Sequence, residues 1–233
     1  MEASRSPGIA AAVPLVRRFE THADASAALA DEVAAMLHDA VSLRGNASLA
    51  VPGGTTPGEF LDALRARPLA WPRVTVLLTD ERWVAPDHSR SNTALVDRTL
   101  GACGRPYRWY PLWREGASAR EAVALLEADA GVVPLPLDVV VLGMGDDGHV
   151  ASLFPGDETG FADPDSCFVA VRGPGDEPRV SLSAAVLEQA REVYVLLRGA
   201  AKLDVLQRAL GGGLPIARLV AARHGRLHVF VSE

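Results

Sequence analysis

At 233 residues the chain is long enough for one large α/β domain or two small ones, and its 48% apolar content is ordinary for a well-cored globular protein. A net charge of -6 argues against a general nucleic-acid or polyanion binder, yet a few local cations would suffice to hold an anionic small molecule. No apolar stretch approaches the ~20 residues that span a bilayer, and two cysteines, Cys103 and Cys167, make no CxxC, cluster or disulfide framework, which fits buried fillers in a reducing cytoplasm.

The chain opens with Met1 to Val16, which has a mild apolar patch but no charged n-region or cleavage signature, and reads as a ragged alanine-rich terminus rather than a signal peptide. Asp24 caps a helix through about Ser42, with Leu29, Val33, Met36, Leu37 and Val41 at helical spacing. Ala47 to Val51 is a short strand, followed by the loop Pro52-Gly53-Gly54-Thr55-Thr56-Pro57 and a helix carrying Phe60, Leu61 and Leu64. Val74 to Leu78 is a strand; Ser91 caps a helix that runs to Leu100 and stops at Gly101. A helix over Ala117 to Asp129 precedes a buried strand over Leu137 to Leu142. Beyond it lie strands at Cys167 to Val171 and Val180 to Ser183 around Gly173-Pro174-Gly175-Asp176, then a strand at Val193 to Leu197. Helices over Ala200 to Leu210 and Leu214 to Ala222 and a strand over Leu227 to Val231 complete the chain. Strands and helices alternate, which predicts a three-layer α/β/α, Rossmann-like, mostly parallel sheet with helices on both faces. Without a linker or internal repeat, residues 1–233 read as one domain.

In such a sheet the polar segments after the strands converge at one edge. The most informative is Gly143-Met144-Gly145-Asp146-Asp147-Gly148-His149. Its glycines satisfy G-x-G-x-x-G, but two aspartates sit where a pyrophosphate would bind, and Pro155-Gly156 leaves little room for the phosphate-binding helix. A dinucleotide site is therefore set aside. His149 can take and return a proton near neutrality, and Asp147, two residues away, can orient its ring. Taken alone, the segment is equally a tight turn with solvated acids. After the Ala47–Val51 strand, Gly53, Gly54, Thr55 and Thr56 offer close backbone approach, hydroxyls and a helix start to an anion, or form an ordinary capped turn. No Lys-Ser/Thr follows, so this is not a nucleotide P-loop. Thr79-Asp80-Glu81-Arg82-Trp83 places three charges at a strand end, where Arg82 can clamp a phosphate or carboxylate while Asp80 and Glu81 hold it or contact sugar hydroxyls; a solvated ion pair is the alternative. Arg179 before a strand and Lys202 in a helix's first turn are further cations, Arg179 reading equally as solvated surface. The other histidines, His22, His38, His88, His224 and His228, lack comparable company. No ligand-spaced set predicts a metal, and no G-x-S-x-G predicts a serine nucleophile, so water is the expected attacking group.

Taken together, these segments resemble the 6-phosphogluconolactonase family, within the broader group that includes glucosamine-6-phosphate isomerase/deaminase. The resemblance rests on Gly53-Gly54-Thr55-Thr56-Pro57, Thr79-Asp80-Glu81-Arg82, Ser91-Asn92, Gly143 to His149 continuing through Ala151-Ser152-Leu153-Phe154-Pro155-Gly156, Pro178-Arg179-Val180-Ser181, and Gly199 with Lys202. It implies a Rossmann-like fold and hydrolysis of 6-phospho-D-glucono-1,5-lactone to 6-phosphogluconate, the second step of the oxidative pentose phosphate pathway, with no metal or organic cofactor. It also implies His149 and Asp147 as catalytic residues, and Gly53, Gly54, Thr55, Thr56, Asp80, Arg82, Asn92, Gly145, Arg179 and Lys202 as substrate-binding residues. The expected partner is the phosphosugar lactone, with no nucleic acid or membrane, for a cytoplasmic monomer or weak homodimer. Pro52 and Val150 depart from the serine and threonine common in lactonases. The deaminase branch instead has Asp-Glu-Tyr where this chain has Asp80-Glu81-Arg82, and a glutamate where this chain has Phe154. A deaminase-like enzyme and a non-catalytic sugar-phosphate sensor are the competing expectations.

Overall fold

A computed structural model of the protein describes residues 13–224 and 226–233; the expected ragged terminus lies outside the described residues as far as residue 12. Ten strands and seven α-helices follow in chain order: β1 (Leu15–Phe19), α1 (His22–Arg44), β2 (Ala47–Val51), α2 (Gly58–Arg65), β3 (Val74–Leu78), β4 (Asp80–Arg82), α3 (Asn92–Arg98), β5 (Arg108–Tyr110), α4 (Ala119–Asp129), β6 (Val139–Leu142), β7 (Phe168–Gly173), β8 (Glu177–Leu182), α5 (Ala184–Gln189), β9 (Glu192–Arg198), α6 (Ala201–Gly212), α7 (Pro215–Ala222) and β10 (His228–Ser232).

Seven strands form one sheet in the order β1-β10-β9-β6-β2-β3-β5, every neighbouring pair parallel. Its middle is apolar on both faces: each residue of β2, β3 and β6 is buried. That pattern belongs to a parallel sheet covered by helices on both sides, the expected three-layer α/β/α arrangement. Chain order runs outward from β2 through β3 to β5, and from β6 through β9 to β10. The boundary between β2 and β6 is therefore the topological switch point, where open α/β sheets leave a crevice beyond the strands' C-terminal ends. The loops that leave β2 and β6 are the two glycine-rich segments.

The antiparallel part is a separate three-stranded sheet, β4-β8-β7, in which β7 and β8 form a hairpin. Three strands and one helix escape the sequence pattern. β1 is an edge strand, LVRRF, with two consecutive arginines; β4 and β5 have three residues each; α5 has six. Pairing, rather than local propensity, makes strands of such short or charged segments. Helix α1 starts earlier than expected because Thr21, not Asp24, is its cap: the Thr21 hydroxyl accepts the Asp24 N–H at 3.1 Å, and Gly45 ends the helix in the left-handed conformation. The cysteines are not both buried fillers. Cys103 is exposed beside the Arg65 guanidinium, and Cys167 is partly exposed, its thiol pushed up by burial and by Glu127. Among the described residues no helix is long and apolar enough to cross a membrane.

Candidate active site

A cavity of about 260 Å³ opens at the switch point. Its floor and walls come from the β2–α2 loop, the end of β3 with β4, the segment after β6, Arg179 of β8, and the β9–α6 junction. Of the expected site residues, Gly53, Gly54, Thr55, Thr56, Asp80, Arg82, Asn92, Gly145, His149, Arg179 and Lys202 all line it. Asp147 stands behind His149.

The segment after β6 folds back on itself through backbone bonds from Gly145 N–H to the His149 carbonyl (3.0 Å) and from Gly148 N–H to the Gly145 carbonyl (3.2 Å). No long helix follows before Pro155-Gly156, as those two residues predict. The fold-back brings Asp147 Oδ1 to 2.6 Å from His149 Nδ1 and 3.2 Å from the His149 N–H. A carboxylate only accepts, so Nδ1 carries the hydrogen and the basic lone pair lies on Nε2. Burial pushes the Asp147 carboxyl up, but the His149 backbone and ring bonds outweigh it and leave the group below its ordinary value. Gly145 must lack a side chain here, because a Cβ would lie 2.2 Å from the His149 ring. Phe154 packs against that ring, centroids 4.8 Å apart, and the Arg179 Cζ lies 5.6 Å from the same Phe154 ring.

The small sheet supplies a second wall. Residues opposite in an antiparallel pair share a face, so Asp80 with Ser181, and Arg82 with Arg179, point one way while Glu81 points the other. Asp80 is buried; its Oδ2 accepts the Ser152 hydroxyl at 2.6 Å and lies 3.6 Å from Arg179 Nη1. Glu177 joins Arg179 Nη2 at 3.1 Å, pairs with Arg90, and sits 3.8 Å from Arg82 Nε, while Arg82 Nη1 donates to the Arg90 carbonyl. Of the charged side chains here, Arg82, Arg179 and Asp80 line the cavity, a cationic excess at its wall. From α6, Lys202 Nζ donates to the Met144 carbonyl (2.9 Å) and to Asp146 (2.6 Å), holding the Asp146 carboxyl below its usual value.

Glu81 corrects the sequence reading. It does not pair with the Arg82 guanidinium or face a sugar; it is wholly buried behind β4 and accepts from the Arg82, Asn92 and Thr93 backbone N–H groups and the Ser91 and Thr93 hydroxyls. Asn92, at the start of α3, donates to the Asp80 carbonyl at 2.8 Å and packs on Gly53, where a Cβ would fall 1.8 Å from its Oδ1. Among the described residues neither Gly54 nor Thr55 commits its backbone N–H to a protein partner, so both remain available to an anion.

Sequence reasoning missed three contributors. His22, passed over as isolated, is buried: its Nε2–H donates to the Thr56 carbonyl at 2.8 Å and its Nδ1 lies 3.3 Å from Ser232 Oγ, tying the glycine loop to α1 and β10. Nothing local signals a contact between positions 22, 56 and 232. Glu177 had a signal, a carboxylate two residues before Arg179 and so on the same strand face. Arg198 lines the cavity at the end of β9 and reaches toward Glu59; its place at a strand end beside Gly199 was the available hint. Among the described residues no group of three His, Cys, Asp or Glu side chains is placed to hold a metal.

Comparison with known proteins identifies the family. The family model described as glucosamine-6-phosphate isomerases/6-phosphogluconolactonase matches residues 20–229. The chain is 38% identical over 223 residues to a 6-phosphogluconolactonase of Rhizobium meliloti, covering 91% of this chain and 96% of the relative. It is 41% identical over 196 residues to that of Pseudomonas aeruginosa, with 81% and 82% covered. The crystal structure of a 6-phosphogluconolactonase from Shewanella baltica OS155 superposes with a TM-score of 0.85 at 31% identity, covering 94% of this chain and 97% of that one. The chain belongs to the glucosamine-6-phosphate isomerase/6-phosphogluconolactonase family.

Proposed function

We propose that the protein is a 6-phosphogluconolactonase, an ester hydrolase that opens 6-phospho-D-glucono-1,5-lactone to 6-phosphogluconate. The observation that carries the reading is the His149–Asp147 pair set beside a cavity whose other wall is cationic. Arg82, Arg179 and Lys202, with the Gly53–Thr56 loop, hold the phosphate, and a phosphate anchored away from the reacting carbon orients the lactone and lowers the entropic barrier. His149 Nε2 removes a proton from water as it attacks the lactone carbonyl, and Asp147 stabilises the imidazolium through Nδ1–H. The tetrahedral oxyanion is met by backbone N–H groups of the glycine loops; Gly145 and Gly148 are not among them, since their N–H groups already bond the His149 and Gly145 carbonyls. As the intermediate collapses, the ring C–O bond breaks and the ring oxygen takes the proton from Nε2. No group from a cofactor enters this cycle. The protein works as one domain, as a cytoplasmic monomer or weak homodimer.

The isomerase/deaminase alternative is disfavoured at Phe154, whose buried ring sits against His149 where a proton relay needs a carboxylate. The test is direct. Lactone generated in situ should be hydrolysed well above its spontaneous rate, with ammonia release from glucosamine 6-phosphate absent. His149→Ala should lower kcat by about 10²–10⁴-fold, the usual worth of general acid–base catalysis. A wild type with no acceleration defeats the substrate assignment, and a His149→Ala loss under about tenfold defeats the base assignment.

A further inference from the structure

Gly173, the last residue of β7, has φ -84° and ψ -177°. This is extended backbone that any residue adopts, so conformation does not require glycine there. Space does. A Cβ built on Gly173 would lie 2.5 Å from Arg179 Nε, 3.1 Å from its Cζ and 3.2 Å from its Cδ. In the β7–β8 register Gly173 faces Glu177 and Val171 faces Arg179, which makes Gly173 and Arg179 diagonal neighbours on one face of the small sheet. The arginine lies across the bare Cα. Its Nε is buried there without a hydrogen-bond partner. Its two terminal nitrogens are carried onward to Glu177, Asp80 and Ser152 at the cavity wall.

We propose that Gly173 is a positioning residue: by having no side chain it seats the Arg179 guanidinium at the cavity, and so sets affinity for the phosphate end of the substrate. The inference rests on the reading of Arg179 as a substrate cation. Gly173 does not line the cavity and touches no reacting group. The colliding atom is the middle of the arginine chain, flanked by Cδ and Cζ, rather than a free tip. Arg179 cannot yield by a small rotation of its end and must leave the seat.

The experiment is a double-mutant cycle of Gly173→Ala and Arg179→Ala on the lactonase, with unphosphorylated glucono-1,5-lactone as a second substrate. Loss of a charge-assisted contact is worth roughly ten- to a hundredfold. Gly173→Ala should therefore raise KM for the phosphorylated lactone by about tenfold or more while kcat stays within about threefold. Hydrolysis of glucono-1,5-lactone should not change. Arg179→Ala should show a similar rise, and the double variant should be no worse than Arg179→Ala alone, because both act on one contact. Additive effects, or an unchanged KM in Gly173→Ala, overturn the inference while leaving the Arg179 assignment standing. An unchanged KM in Arg179→Ala overturns the assignment itself and the inference with it. If Gly173→Ala does not fold, the double variant decides: with the arginine gone the Cβ has room, so the double should melt with Arg179→Ala, and a double that also fails to fold overturns the proposal.

Discussion

Asp147 is half exposed, yet the two bonds it accepts from His149 keep its carboxyl below its ordinary value. The sign of the consequence follows from linkage. An acid whose folded pKa is lowered contributes stability that is fully present above the unfolded value, near 3.9, and is lost as pH falls through the folded one. Asp147→Asn should thus have a lower Tm than wild type from neutral pH down to about pH 4, and the two should converge below it. A difference that persists unchanged into strong acid would show that the carboxylate's charge is not what stabilises the turn. At neutral pH the same charge is in place to stabilise a protonated His149, so kcat should fall in Asp147→Asn while KM for the phosphorylated lactone holds. This pair was legible in the sequence because its members are two residues apart and the turn that joins them is encoded by its own glycines. Glu177 and His22 were harder to read. His22 meets Thr56 and Ser232, and Glu177, besides its neighbour Arg179, meets Arg82 and Arg90; only strand pairing or helix packing brings these distant partners to the site.

At the scale of elements, β4 and α3 form one device. Strand alternation sends Asp80 and Arg82 to the cavity and Glu81 into the interior, where its carboxylate gathers five donors, most of them from the first turn of α3. A negative charge at a helix N-terminus satisfies orphan N–H groups and favours the helix dipole. Burial nonetheless pushes the Glu81 carboxyl above its ordinary value, with the donors opposing the shift. Glu81→Gln preserves shape but turns an amide NH₂ toward N–H or O–H donors that need an acceptor. Each buried group left unsatisfied costs about 1–3 kcal/mol, and at this chain length about 1 kcal/mol moves Tm by roughly 2–4 °C. Melting followed by circular dichroism should show a drop of at least about 2 °C; no drop would mean that the cluster reorganises around the amide. The sequence placed Ser91 as the cap of α3, and this holds, because a cap is a local bond. It read Asp80-Glu81-Arg82 as charges at a strand's end, a substrate clamp or a solvated ion pair, and missed the strand β4 itself, since three consecutive charges contradict a strand until their separate destinations are known. The parallel strands β2, β3 and β6 were plain for the opposite reason: strands buried on both faces are predominantly apolar and carry no charge, Ser48 and Thr75 being their only polar residues.

For the whole molecule, the decisive relation is between two sheets. The seven-stranded sheet positions the glycine loops and His149 at its switch point, while the three-stranded sheet stands beside that crevice and contributes Arg82 and Arg179. A sequence pattern can announce the first, because alternating strands and helices imply a crevice at the strand ends. It cannot announce the second, because β4 is followed by β8 in space and not in the chain. A ligand that touches both sheets should therefore act as a tie between them. The product, 6-phosphogluconate, should bind the folded state alone, and at a hundredfold excess over its Kd it should stabilise the protein by about 2.7 kcal/mol. At this chain length that is a rise in Tm of roughly 5–11 °C. Gluconate, which lacks the phosphate, should give little rise at the same concentration. Arg179→Ala and Lys202→Ala should each diminish the product's effect, the first from the small sheet and the second from α6. Equal shifts by product and gluconate would place the binding energy on the sugar hydroxyls and remove the cationic wall from its assigned role. A shift lost in Lys202→Ala but intact in Arg179→Ala would confine the phosphate to the main sheet's side of the crevice.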